Sequence, residues 1–91
     1  MRTSTDSRVW TVDIRFDEDP DRTDAAATVT VGNTEIGGWG RARRNPSDPS
    51  VPTLGEELAA ARALSDLAHK LLDDAAARIA EREGHAVRLH G

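Results

Sequence analysis

The chain opens with alternation. From Val9 to Phe16, the apolar residues Trp10, Val12, Ile14 and Phe16 interleave with Val9, Thr11, Asp13 and Arg15, the period-two pattern of a half-buried strand. A second strand follows over Ala25–Val31, with Ala25, Ala27, Val29 and Val31 on one face. Gly32-Asn33 comes next, and a glycine opening a two-residue loop is the chemistry of a II′ hairpin turn. That turn dictates the register of a third strand, because directly opposed residues share a face. Val31 then opposes Thr34, Val29 opposes Ile36 and Ala27 opposes Gly38, and the same face continues through Gly40 and Ala42. This surface is apolar but shallow, so it predicts a helix packed unusually close. The opposite face carries Ala26, Thr28, Thr30, Glu35, Gly37, Trp39, Arg41 and Arg43.

Between the first two strands, Asp17–Asp24 holds Pro20 and five acids and predicts a solvated turn held open by charge repulsion. Beyond Asn45-Pro46, the prolines at 49 and 52 stiffen a loop and forbid ladder pairing. Thr53-Leu54-Gly55-Glu56 has the form of a capping box at a helix start. From there Leu54, Leu58, Ala61, Ser65, Ala68, Leu72, Ala75 and Ile79 recur every three or four residues, with Leu64, Leu67 and Leu71 widening the stripe. Gly84 is the expected stop. An unbroken helix of this length overruns the strands, which favours a break at Asp73-Asp74 over a straight overhang. Val87 and Leu89 alternate in the tail, as a short strand or an arm laid on a partner would. The pattern as a whole predicts an α+β fold: a three-stranded antiparallel meander with a long C-terminal helix on the face made by Trp10, Val12, Ile14, Val29 and Ile36. Residues 1–8 are expected to form a flexible N-terminus and residues 9–91 one domain.

Composition narrows the class. With 91 residues and no cysteine, the chain has one core, no disulfide framework and no thiolate metal site. Its polar start is not a signal peptide and no run is apolar enough to span a bilayer, so a cytoplasmic location with no membrane partner is expected. A domain this small leaves much apolar surface uncovered, which makes a homodimer the expected assembly. Sixteen acidic against twelve basic residues give a net charge of −4, the opposite of an autonomous nucleic-acid binder.

No catalytic constellation is present, and no cofactor is implied. His69 has Asp66 and Asp73 at helical spacing, but the set is better read as solvated helix residues than as a metal site. Asp17-Glu18-Asp19-Pro20-Asp21 lacks the glycine and the terminal glutamate of a calcium loop. Gly37-Gly38-Trp39-Gly40 precedes no helix N-terminus that would hold a phosphate. What remains is Trp39 with Arg41 and Arg43 on one sheet face. Aromatic and guanidinium groups so arranged can stack bases and hold phosphates, or form the hot spot of a dimer contact, or lie under the protein's own tail.

Trp10-Thr11-Val12-Asp13-Ile14, Gly38-Trp39-Gly40-Arg41-Ala42-Arg43, Asn45-Pro46-Ser47-Asp48, Val51-Pro52, Gly55-Glu56-Glu57-Leu58 and Ala61-Arg62-Ala63-Leu64-Ser65-Asp66-Leu67 together resemble an actinobacterial domain of unknown function. The resemblance covers nearly the whole chain. It implies a small β-β-β-α domain likened to the double-stranded-RNA-binding-domain fold, a homodimer, and a link to stress or dormancy with a shape compared to ribosome hibernation-promoting factors. Two functions are therefore expected as alternatives. One is a non-enzymatic stress-associated module docking on the ribosome or RNA through Trp39, Arg41 and Arg43. The other is a homodimeric protein-interaction module that binds no nucleic acid.

Overall fold

A computed structural model describes residues 7–45, 47 and 51–83. Three strands, β1 (Asp13–Asp19), β2 (Arg22–Val31) and β3 (Thr34–Arg43), form an antiparallel sheet in sequential order, and one helix, α1 (Pro52–Glu83), packs across it. The expected stop at Gly84, the tail with Val87 and Leu89, and the prolines at 46 and 49 lie outside the described residues.

The second hairpin follows the turn chemistry. Gly32 has φ +62° while Asn33 does not have a positive φ, which is type II′ rather than I′. Val31 pairs with Thr34, Val29 with Ile36, Ala27 with Gly38 and Ala25 with Gly40, as that turn requires.

The first hairpin differs from expectation. The acidic segment is not an open turn: β1 runs on to Asp19, β2 begins at Arg22, and Pro20-Asp21 alone form the loop. Asp19 makes this possible by accepting the backbone N–H groups of Asp21 (2.8 Å) and Arg22 (3.0 Å) and pairing with the Arg22 guanidinium at 2.9 Å. Such local side-chain acceptors replace backbone turn bonds. Repulsion does not splay the strands, because Arg22 and Arg41 both reach Asp24. Nor does β1 begin at Val9. Residues 9–12 precede the ladder, with Trp10 58% exposed and Val12 only partly shielded.

Packing turns on two glycines. A Cβ on Gly38 would lie 2.5 Å from the Ala63 carbonyl oxygen and 2.7 Å from Leu67 Cα, and one on Gly40 would lie 2.6 Å from the Ala59 carbonyl oxygen. Helix backbone thus rests directly on strand backbone. The buried apolar set is Ala25, Ala27, Val29, Ile36, Ala42, Ala59, Ala63 and Leu67, with Ile14, Val31 and Leu71 packed at its margin. The helix consequently presents Ala59, Ala63 and Leu67, spaced four apart, to the sheet. Of the leucine-rich stripe expected there, Leu67 is buried and Leu71 packs at the core margin, whereas Leu54, Leu58, Leu64 and Leu72 are exposed. At 100° per residue, Leu54, Leu58 and Leu72 project from the side of α1 opposite Ala63. Side chains of leucine size cannot occupy a space where even a methyl group collides.

The helix start also differs. Pro52 occupies the first helical position, and the Val51 carbonyl accepts from Leu54 N (3.0 Å) and Gly55 N (3.3 Å), so Thr53 is inside the helix and cannot act as its N-cap. Proline is favoured there because the missing N–H has no intrahelical acceptor anyway. No break occurs at Asp73-Asp74. The 32-residue helix is continuous, roughly 48 Å long at 1.5 Å per residue, and overhangs the sheet.

The glycine contact yields a sharp contrast. Gly38→Ala should destabilise the domain by about 1–3 kcal/mol, because the helix must lift from the sheet. Gly37→Ala, whose Cβ would meet only Thr28 and Ala27 atoms at 3.6–3.7 Å, should stay within about 0.5 kcal/mol of wild type, the range of ordinary surface changes. Urea melts of the two variants check this, and equal midpoints would refute the close packing.

Candidate functional site

Trp39, Arg41 and Arg43 all lie on β3 and face away from α1. Two of them are brought into contact: the Arg41 guanidinium sits 5.0 Å from the Trp39 ring centroid, a cation–π distance. Arg41 is also held by Asp24, its cross-strand partner. Its Nε donates to one Asp24 oxygen at 2.6 Å and its Nη2 to the other at 3.2 Å. This bidentate pairing holds the Asp24 carboxyl below the usual carboxylate range, chiefly through the Arg41 hydrogen bond and against a smaller opposing effect of burial. Arg41 is in turn held more firmly protonated by the same bond. Arg43 is exposed beside Arg22, its cross-strand neighbour. The trio is therefore a Trp39–Arg41–Asp24 cluster with Arg43 at its rim. Asp24 was the missing member, and the II′ register already placed it opposite Arg41.

The outer edge of β3 is sealed from above by α1. The Trp39 backbone N–H donates to Asp66 Oδ2 at 2.9 Å, and Lys70 Nζ donates to the same oxygen at 3.0 Å. Arg62 Nη1 donates to the Arg41 carbonyl at 2.7 Å. Strand edges offer unpaired backbone groups to any passing chain, and charged side chains laid along them prevent pairing. The Trp39 N–H, followed by Lys70, lowers the Asp66 pKa. Sequence periodicity exposes Asp66 and Lys70 as an i, i+4 pair but carries no signal for the bond to β3.

At β1 the situation is reversed. Among the described residues no side chain bonds to the backbone of residues 13–18, and α1 packs on β2 and β3 rather than on β1. Phe16 is 41% exposed on the helix side, and Val9, Trp10 and Val12 are bare ahead of it. A shallow cleft separates this arm from Thr28, Thr30 and Glu35.

A larger cleft of about 490 Å³ lies between the first hairpin, the end of β3 and the start of α1, lined by Glu18, Arg22, Thr23, Arg43, Val51 and Leu54 among others. At its margin the neighbouring Glu56 carboxyl raises the Glu18 pKa, chiefly through a hydrogen bond between the two side chains. Among the described residues no cluster able to hold a metal ion is present. The His69 ring bonds the Ser65 carbonyl at 2.8 Å, while Asp66 is engaged by Trp39 and Lys70, so these residues serve the helix and the strand edge.

Acid should loosen this network. The lowered carboxyls of Asp19, Asp24 and Asp66 contribute stability that is full above the unfolded-state pKa, about 4, and lost as pH falls through their folded values. Glu18 acts oppositely, its contribution fading as pH rises through its raised folded pKa. Three groups against one predict lower stability at about pH 3 than at about pH 6. In Asp66→Asn, where an amide oxygen can still accept from Trp39, the fall should be shallower. Urea midpoints across that range test it, and an unchanged slope in the variant would mean that Asp66 contributes nothing to the acid dependence.

The Rv2632c-like family model matches residues 8–88 of this chain. Over 63 residues the chain is 49% identical to the uncharacterized protein Mb1767 of Mycobacterium bovis, covering 69% of this chain and 67% of that protein. Over 60 residues it is 43% identical to the uncharacterized protein Rv2632c of Mycobacterium tuberculosis, covering 66% of this chain and 64% of that protein. The crystal structure of Rv2632c superposes with a TM-score of 0.79 at 34% identity, covering 93% of this chain and all of that one. Sequence and fold agree, and the chain belongs to the Rv2632c-like family.

Proposed function

We propose that this protein is a non-enzymatic, homodimeric protein-interaction module of the cytoplasm that does not bind nucleic acid. The observation that carries this reading is the bidentate Asp24–Arg41 pair at 2.6 and 3.2 Å. A guanidinium whose Nε and Nη2 already hold a carboxylate, and which is stacked on Trp39, has its charge matched within the chain and is a weaker site for a phosphate. The net charge of −4 further opposes a polyanion. Dimerisation is supported by what the single chain leaves bare. Its buried set is mostly alanine, no large side chain is fully buried, and Val9, Trp10, Phe16 and several leucines are exposed. Burying such surface is worth roughly 25 cal/mol per Å².

A second reading rests on Trp39, which stays 51% exposed with Arg43 on the same face. It is the one implied by the likeness to double-stranded-RNA-binding domains and hibernation-promoting factors, a stress- or dormancy-associated module that docks on the ribosome.

Sedimentation equilibrium from micromolar to millimolar concentration, with co-sedimentation on ribosomes across a salt series, separates the two. The expected outcome is a wild-type dimer, unaffected by Trp39→Ala, that does not pellet with ribosomes even at low salt. Ribosome binding that Arg41→Ala/Arg43→Ala abolishes would favour the second reading, and a monomer throughout would end the first.

A further inference from the structure

The two edges of the sheet are treated differently, and the difference specifies how two copies meet. β3 is sealed by Asp66 and Arg62, whereas β1 is bare along its backbone and continues into an unpaired arm, residues 9–12. We infer that a second copy of this chain pairs antiparallel with β1, edge to edge, to make one continuous six-stranded sheet with Ile14 opposite Ile14 at the two-fold axis. The inference rests on the homodimer reading above and adds the interface and its register.

The register follows from side-chain chemistry. In an antiparallel pair, opposed residues share a face, so both copies keep their apolar side toward the helices only if even-numbered residues oppose even-numbered ones. With Ile14 on the axis, Val12 faces Phe16 twice and Asp13 faces Arg15 twice. The apolar pairs lie on the helix side and the two opposite-charge pairs on the other. Moving the axis one residue toward the N-terminus sets Asp13 against Asp13, and moving it one toward the C-terminus sets Arg15 against Arg15. Like charges directly opposed are destabilising, so the segment itself discriminates among registers.

The surroundings fit the same arrangement. Arg62 and Asp66 mark the flank of α1 that overlooks the β3 edge. At 100° per residue, Leu64 and Leu71 belong to the other flank, toward β1, where Glu56 meets Glu18. Two copies joined at β1 place their helices on one side of the sheet, with a valley between them. Its floor is Val12, Ile14 and Phe16 from both chains and its walls carry Leu64 and Leu71. Leu64 is 42% exposed in the single chain, and the partner covers it.

Charge reversal in the full-length chain tests this by sedimentation equilibrium. Asp13→Arg and Arg15→Asp should each weaken the dimer at least about tenfold, since symmetry makes each change count twice. The double variant Asp13→Arg/Arg15→Asp should return to within about threefold of wild type. Single variants as dimeric as wild type would overturn the inference while leaving the homodimer reading to another surface. Weakening without rescue in the double variant would overturn the register. A wild-type monomer up to millimolar concentration would remove the homodimer reading and this inference with it.

Discussion

Everything else in this fold depends on the contact of backbone with backbone at Gly38 and Gly40. These glycines lie so close to the Ala59–Leu67 stretch of α1 that an added methyl group would collide with helix carbonyls. A contact of this kind has no room for large side chains, which explains why the core beneath the helix is built from Ala25, Ala27, Ala42, Ala59 and Ala63. It brings two rigid elements together with many dispersion contacts but removes little apolar area from water for each residue used. Of the helix leucines, Leu67 enters it and Leu71 packs at its margin, whereas Leu54, Leu58, Leu64 and Leu72 sit on the flank and far side of the helix.

The same contact explains which features were legible in the sequence. The three strands, the II′ turn and the β3 register could be read because turn chemistry and period two are local. The close helix was legible too, from glycines and alanines gathered on one face. The phase of α1 was not. Its residues carry two stripes at helical spacing, one rich in leucine and one built on Ala59, Ala63 and Leu67. Hydrophobicity favours the first, and volume decides for the second. The helix break was an inference from length alone. Residues 56–83 contain neither glycine nor proline, and a pair of aspartates in mid-helix costs too little to interrupt a helix.

The acidic run between the first two strands was legible in the sequence, but its pairing was not legible from composition. Five acids and a proline suggested mutual repulsion between the first two strands, yet each of the acids that matters has a partner fixed by the sheet. Asp19 closes the loop with Arg22, and Asp24 joins Arg22 and Arg41 across strands. The pairing of Asp24 with Arg41 was available from the register, since the turn that sets Val31 against Thr34 also sets residue 24 against residue 41. Asp66 was not available. It binds the Trp39 N–H across 27 positions of chain, a contact that exists only because the helix already lies on Gly38 and Gly40. Of the candidate site, then, the membership of Trp39 and Arg41 was local information, and the groups that engage them were partly tertiary.

Geometry links these points to the exposed edge. A helix with its side chains is about 10–12 Å across and strands are spaced about 4.8 Å apart, so one helix covers about two strands. Centred over β3 and β2 by the two glycines, α1 must leave β1 uncovered. Because it leans toward β3, Arg62 and Asp66 reach the backbone of that edge and seal it, and by the same displacement no helix side chain among the described residues bonds the backbone of β1, where Glu56 meets only the Glu18 side chain. The bare Phe16, Val12 and Trp10 are therefore a consequence of the packing that holds the domain together. A wider helix footprint would require larger residues beneath it, and the glycine contact excludes them. A second helix over β1 would complete the layer. This chain has one helix among its described residues, so the shape that would complete the sheet is another copy of itself, presented edge to edge with its own uncovered strand.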